Sequence, residues 1–170
     1  LPGTALRTTM WTAGTPILVA ETHQKIRPED LEVGTLVSAV PEGLEEVMEE
    51  EGNLNELAKA AVMLIRMDPS EIVADQTPPG QESWTYQGIM CYSKICTHVG
   101  CPLGLYEQLT HHMLCPCHQS TFDLSDAGNV IFGPAARSLP QLAITVDEDG
   151  YLVAREGFAE PVGPSFWERG

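Results

Sequence analysis

Positive charge is scarce in this chain: nine Lys and Arg stand against 24 Asp and Glu, a formal net charge of -15 over 170 residues. That balance removes the counterion-release drive toward phosphate backbones and anionic lipid, and it excludes nucleic-acid binding. Long hydrophobic runs are also missing. No apolar stretch approaches the ~20 residues needed to cross a bilayer. Leu1-Pro2-Gly3 offers no charged segment followed by an apolar one, so the chain as it stands is expected to be soluble, with any anchor or export signal lying upstream of Leu1. Cysteine is sparse as well, with five residues, too few for a disulfide scaffold at this length. What is present is a 43% hydrophobic fraction. At this size folding buries about two-thirds of the extended surface, enough for one domain with a true core.

Short strands and tight turns are expected between Trp11 and Val40, where β-branched residues alternate with Gly14-Thr15-Pro16, Arg27-Pro28 and Gly34. From Pro41 the composition turns acidic and helical: Glu45, Glu46, Glu49, Glu50 and Glu51 surround Leu44, Val47 and Met48, with Gly52 as C-terminal cap. Asn53 can cap a further short turn carrying Leu54, Leu57, Ala58 and Ala61 before Met63-Leu64-Ile65-Arg66 returns to strand. This insert of about 41–61 reads as a solvated helix face, with a docking patch for a basic partner as the alternative. Trp84 to Tyr92 reads as a strand, and Leu142–Val146 and Tyr151–Ala154 as a hairpin around Asp147-Glu148-Asp149-Gly150. The tail Glu160 to Trp167 has too much proline for regular structure and is expected to pack by its aromatics. The base fold is therefore mostly β.

The few cysteines are concentrated: four of the five, and four of the five histidines, fall between residues 96 and 118. Two boxes stand out, Cys96-Thr97-His98-Val99-Gly100-Cys101-Pro102-Leu103-Gly104 and Cys115-Pro116-Cys117-His118-Gln119-Ser120-Thr121-Phe122. Each pairs Cys with His at close spacing. Thiolate with imidazole suits zinc, or an iron-sulfur cluster in which two histidines replace two cysteines on one iron. A tetrahedral zinc site uses four ligands and leaves two thiols over. A two-Cys, two-His cluster with a disulfide between its loops uses all six. A zinc-stabilised binding module remains the non-redox alternative.

The boxes resemble those of Rieske proteins, C-T-H-x-G-C followed by C-P-C-H-x-S, and Gly133-Pro134-Ala135 resembles the loop that covers the cluster in that family. The resemblance implies a [2Fe-2S] Rieske cluster with Cys96 and Cys115 on one iron, His98 and His118 on the other, and Cys101 joined to Cys117. Rieske ferredoxins and oxygenase components, the alternative reading, usually lack those last two cysteines. Gly133 to Leu142 and Glu160 to Pro164 further resemble the actinobacterial cytochrome bc type, so that most of the chain is covered; the acidic insert matches no general element of the family. The fold so implied is a Rieske-type antiparallel β-sandwich with a short helical insert. Its base subdomain would take residues 1–90 and 135–170, and its small cluster-binding subdomain 91–134.

The implied role is an electron-transfer subunit of a quinol-cytochrome c reductase, an electron carrier in isolation. It would oxidise quinol at a cytochrome b subunit, reduce a c-type cytochrome subunit and release protons. It would stand on the extracytoplasmic side of a bacterial membrane, held by upstream transmembrane helices. His118 would bind the quinol, with Val99 on the apolar rim. Ser120 stands where the family places a donor to cluster sulfur. Phe122 stands where high-potential members have tyrosine, and that lost hydroxyl predicts a lower potential and so menaquinol. Gln119 replaces a common glycine without removing a ligand. His111 and His112 read as a surface loop between the boxes, Cys91 as a small buried hydrophobe, Trp84 and Trp167 as packing residues, and His23 carries no assigned function.

Overall fold

The computed structural model of the protein describes residues 11–44, 60–77, 79–80, 82–94, 103, 105–107, 111–115, 120–133 and 138–158. Two runs without polar alternation, Val62–Arg66 (β3) and Ile89–Ser93 (β4), form its centre, as expected of strands covered on both faces. They pair antiparallel, Leu64 opposite Cys91. With Ile17–Val19 (β1), Leu36–Pro41 (β2) and Gln141–Leu142 (β9) they make a five-stranded sheet in the order β1-β2-β3-β4-β9.

Side-chain alternation along β3 and β4 splits the core in two. Val62, Leu64, Ile89 and Cys91 face a cluster completed by Trp11, Ile17, Ile26, Leu31, Ile144 and Leu152. This face is closed by a two-stranded hairpin of Ile144–Val146 (β10) and Leu152–Ala154 (β11). Met63, Ile65, Met90 and Tyr92 point the other way, into a cluster with Leu103, Met113, Cys115, Phe122, Leu124 and Leu139. That face meets a four-stranded sheet of Leu105–Glu107 (β5), His112–Leu114 (β6), Thr121–Asp123 (β7) and Asn129–Phe132 (β8), paired in sequence order. Each fully buried Leu, Ile or Met contributes about 1.5–3 kcal/mol, so apolar packing dominates the junction between the sheets.

The sequence expectations hold for much of this architecture and fail locally. The antiparallel, mostly β fold and the hairpin around Asp147 are present. There the Asp147 carboxylate accepts from the backbone N–H of Asp149 (2.9 Å) and Tyr151 (3.0 Å), and Gly150 takes φ +85°. Trp84 to Tyr92 is not one strand. Gln87 (φ 50°) and Gly88 (φ 82°) make a tight turn bridging Tyr86 to Ile89, and the strand proper starts at Ile89. Gly88 is required there, because a Cβ would lie 2.3 Å from the carbonyl oxygen of Met67. The run Leu142 to Val146 is also divided: Leu142 pairs with Cys91 in the large sheet, whereas Ile144 pairs with Ala154 in the small one. Of the acidic insert, Leu44 and Ala60 are helical and buried, and the predicted helix between them lies outside the described residues, as does the tail from 159 onward. No helix among the described residues is long and apolar enough to cross a membrane.

Candidate metal centre

Both cysteine boxes depart from ordered strands at short-range hydrogen bonds. The first leaves after β4, and its far end returns where the N–H of Leu103 donates to the carbonyl of Lys94 at 2.9 Å. The second spans the β6–β7 connection: Leu114 pairs with Thr121, and the N–H of Cys115 donates to the carbonyl of Ser120 at 2.8 Å. Leu103, Cys115 and Leu139, which close the two boxes and the segment after β8, are all buried in the same apolar cluster. The feet of all three predicted site segments therefore share one piece of core.

Of the predicted site residues, Cys115, Ser120, Phe122 and Gly133 are described. Cys96, His98, Val99, Cys101, Cys117, His118, Pro134 and Ala135 lie outside the described residues. Cys115 is fully buried and its thiol is not in a disulfide. Cys115 opens the Cys-Pro-Cys-His sequence with a sulfur that no disulfide occupies, which suits an iron ligand. Ser120 is buried, immediately before β7. Phe122 is fully buried between its cross-strand partners Met113 and Val130 and shares the cluster that holds Cys115. The register shifts between Thr121 and Phe122 so that Ile131 is the extra residue of a bulge, a distortion that recurs beside functional sites. Gly133, at φ 97°, turns the chain out of β8.

His111 and His112 are not a simple surface loop. His112 opens β6, and His111, held at φ 60°, is fixed on both ring nitrogens: Nδ1 to the Tyr106 hydroxyl (2.9 Å) and Nε2 to Glu71 (2.6 Å). Glu71 closes a 3-10 turn at Pro69–Glu71, so this pair ties the loop after β3 to the β5–β6 hairpin. Burial, aided by Glu71 and Asp123, raises the Tyr106 phenol and keeps it neutral. Cys91 behaves as expected: it belongs to the opposite cluster from Cys115, and burial pushes its thiol far up, so it stays protonated and inert. Trp84 packs as expected, although its buried Nε1 has no partner among the described residues.

Sequence reading missed Gln76 altogether. Its carboxamide donates to the carbonyls of Ala127 (2.8 Å) and Leu139 (2.6 Å) and accepts from the N–H of Gln141 (3.0 Å), while its own N–H donates to Gln141 Oε1 (2.8 Å). These partners lie 51 to 65 residues away, and no local pattern announces them.

The structure is thus a mostly β protein whose antiparallel sheets bury the cysteine that opens the Cys-Pro-Cys-His sequence. Residues 46–154 match the Rieske [2Fe-2S] domain family, and the chain belongs to it. Among its relatives, it is 55% identical over 170 residues to the "Cytochrome bc1 complex Rieske iron-sulfur subunit" of Streptomyces lividans, covering all of this chain and 96% of that one. It is 47% identical over 152 residues to the subunit so named from Mycobacterium tuberculosis, covering 85% of this chain but 35% of that one. The chain thus spans about a third of that longer relative. Among solved structures, the soluble domain of Rieske protein II from Sulfolobus acidocaldarius superposes with a TM-score of 0.47 at 22% identity, over 86% of this chain and 80% of that one.

Proposed function

We propose that this domain is the electron-carrying head of a bacterial cytochrome bc complex of the actinobacterial type. It takes an electron from quinol, menaquinol in particular, at the cytochrome b subunit and passes it to the haem of a c-type cytochrome subunit. The observation that carries this reading is Cys115, a buried thiol outside any disulfide at the foot of the second box, in a chain 55% identical over its whole length to a relative named for that complex. The domain stands on the extracytoplasmic face, anchored by helices upstream of Leu1. Of the sequence division into a cluster-binding subdomain of 91–134 and a base of 1–90 and 135–170, we keep all but 91–93, which complete β4 of the large sheet and belong to the base.

The thiolates of Cys96 and Cys115 and the imidazoles of His98 and His118 hold the cluster, and the Cys101–Cys117 disulfide ties the two boxes together. When bound, the cluster supplies a one-electron acceptor whose oxidised form is formally neutral, because two sulfides and two thiolates balance two ferric ions; this favours a higher potential than four thiolates allow. His118 would hydrogen-bond the quinol hydroxyl and accept its proton, which would couple proton release to loss of the electron. Val99 excludes water from that contact. Ser120 would donate toward a cluster sulfur, Phe122 has no hydroxyl with which to do so, and Gly133-Pro134-Ala135 would cover the site.

A redox titration of the holoprotein across pH, combined with iron and sulfide analysis, tests the reading. About two irons and two labile sulfides are expected. The potential should fall with rising pH once the ligand imidazoles of the oxidised form lose protons. Stoichiometric zinc without iron, or a pH-independent potential, would overturn it.

A further inference from the structure

We propose that Lys94 sets the reduction potential of the iron-sulfur centre: its ammonium favours the reduced form over the oxidised one by Coulomb attraction. The inference rests on the reading above that Cys96 and Cys115 are iron ligands. In a chain of net charge -15, Lys94 is the only Lys or Arg between Arg66 and Arg137. Both Cys-His boxes fall inside that interval, so this one side chain is the only permanent positive charge that the surrounding sequence brings to the site. Its backbone is fixed on both sides. The N–H of Lys94 donates to the carbonyl of Ala61 at 3.0 Å, and its carbonyl accepts from the N–H of Leu103 at 2.9 Å, where the first box returns to the core.

Sheet geometry puts Lys94 on the side of the iron ligands. Val62 and Ser93 are the last pair of the β3–β4 ladder, and the Lys94 bond to Ala61 carries the ladder one residue further. Side chains alternate along a ladder. Met90 and Tyr92 belong to the apolar cluster that holds Leu103, Cys115 and Phe122, and Lys94, two residues past Tyr92, falls on that same face. It is partly buried, and among the described residues no carboxylate forms an ion pair with it. Cys96 follows two residues later, its Cα no more than about 7.6 Å away along trans peptides. Reduction of the centre adds one electron, makes and breaks no bond, and takes the formal charge from neutral to -1. A nearby cation therefore leaves the oxidised form almost unaffected and stabilises the reduced one. At roughly 8–12 Å, with the weaker screening of a partly buried charge, the effect on the reduction equilibrium is about three- to tenfold. It opposes in sign the loss of a hydroxyl at Phe122.

The test is the midpoint potential of cluster-loaded Lys94→Arg, Lys94→Gln and Lys94→Glu, read together with EPR g-values. Lys94→Arg should keep the wild-type potential. Lys94→Gln should lower the equilibrium constant for reduction about three- to tenfold, or about 30–60 mV at about 59 mV per tenfold, and Lys94→Glu should lower it further. The g-values should stay those of the wild type, and the gap should narrow as ionic strength rises. Lys25→Gln controls for net charge, because Lys25 lies over the Tyr151 ring at the hairpin that closes the opposite face of the large sheet; it should leave the potential in place. A potential that does not follow the charge at position 94, an equal shift from Lys25→Gln, or Lys94→Gln protein with altered g-values would each overturn the proposal. Cys115→Ala separates the two readings. Retention of the native cluster in that variant rejects the ligand set on which the proposal rests, whereas its loss there, beside a potential indifferent to the charge at 94, rejects Lys94 alone.

Discussion

Cys115 and Ser120 are joined by a backbone hydrogen bond of 2.8 Å that extends the β6–β7 ladder one step past the Leu114–Thr121 pair. The segment between them, Pro116-Cys117-His118-Gln119, is therefore carried by a hairpin whose feet are locked in register. Cys115 sits in the core and Ser120 is buried beside the start of β7. A ligand held on a strand end rather than in a free loop needs less ordering when metal binds.

Cys115→Ala should abolish the cluster, as seen by loss of the visible spectrum and of iron. His111→Ala should retain it. Breaking the contact with half-exposed Glu71 should cost only about 0.2–1 kcal/mol after solvent screening, a fall in melting temperature of roughly 1–4 °C. Loss of iron from the His111 variant would show that the ligand set is drawn wrongly.

Cys101 and Cys117 should be found joined in native holoprotein by mass spectrometry of unreduced digests. Serine at either position should speed cluster loss on dilution. Two free thiols in intact holoprotein would contradict both the pairing and the extracytoplasmic placement that depends on it.

Phe122→Tyr should raise the reduction potential and Ser120→Ala should lower it. A donor to cluster sulfur favours the reduced state, because the added electron increases negative charge on the sulfurs. A difference of about 1–2 kcal/mol between redox states, at about 59 mV per tenfold for a one-electron couple, makes each shift tens of millivolts. The pH dependence should keep its form in both variants, since neither touches an imidazole. An unchanged potential in Phe122→Tyr, beside a shifted one in Ser120→Ala, would place the ring away from the cluster and remove the basis for menaquinol.

Acid stability should depend on Asp75. Partial burial by itself would raise its pKa, but hydrogen bonds from Thr85, Thr77 and Ser83 outweigh that and hold the carboxyl below the usual carboxylate range. A lowered folded-state pKa stabilises the protein above the unfolded value of about 3.9, and the contribution is lost as pH falls through the folded value. Asp75→Asn should lower the melting temperature at neutral pH and flatten its decline below about pH 4. A melting curve across pH with the same slope in both proteins would refute this.

Local signals made much of this protein legible. The unbroken apolar runs of β3 and β4 announced strands, and Asp147 with Gly150 announced the β10–β11 turn, because each depends only on side-chain period or on bonds within a few residues. The two Cys-His boxes were legible for the same reason, since ligand spacing is a property of consecutive residues. Residue type likewise marked Cys91 as a buried hydrophobe.

Tertiary structure decided what depends on distant partners. Nothing near Ala143 foretells that the strand read from Leu142 to Val146 would divide between two sheets; that follows from Cys91 claiming Leu142 and Ala154 claiming Ile144. Nothing near His111 foretells Glu71, 40 residues earlier, and nothing near Gln76 foretells Gln141, 65 residues later. A periodic pattern records which face of a strand is apolar. Which other segment covers that face, and which buried carbonyl is left needing a donor, is settled only when the whole chain has packed and each buried polar group has found its partner.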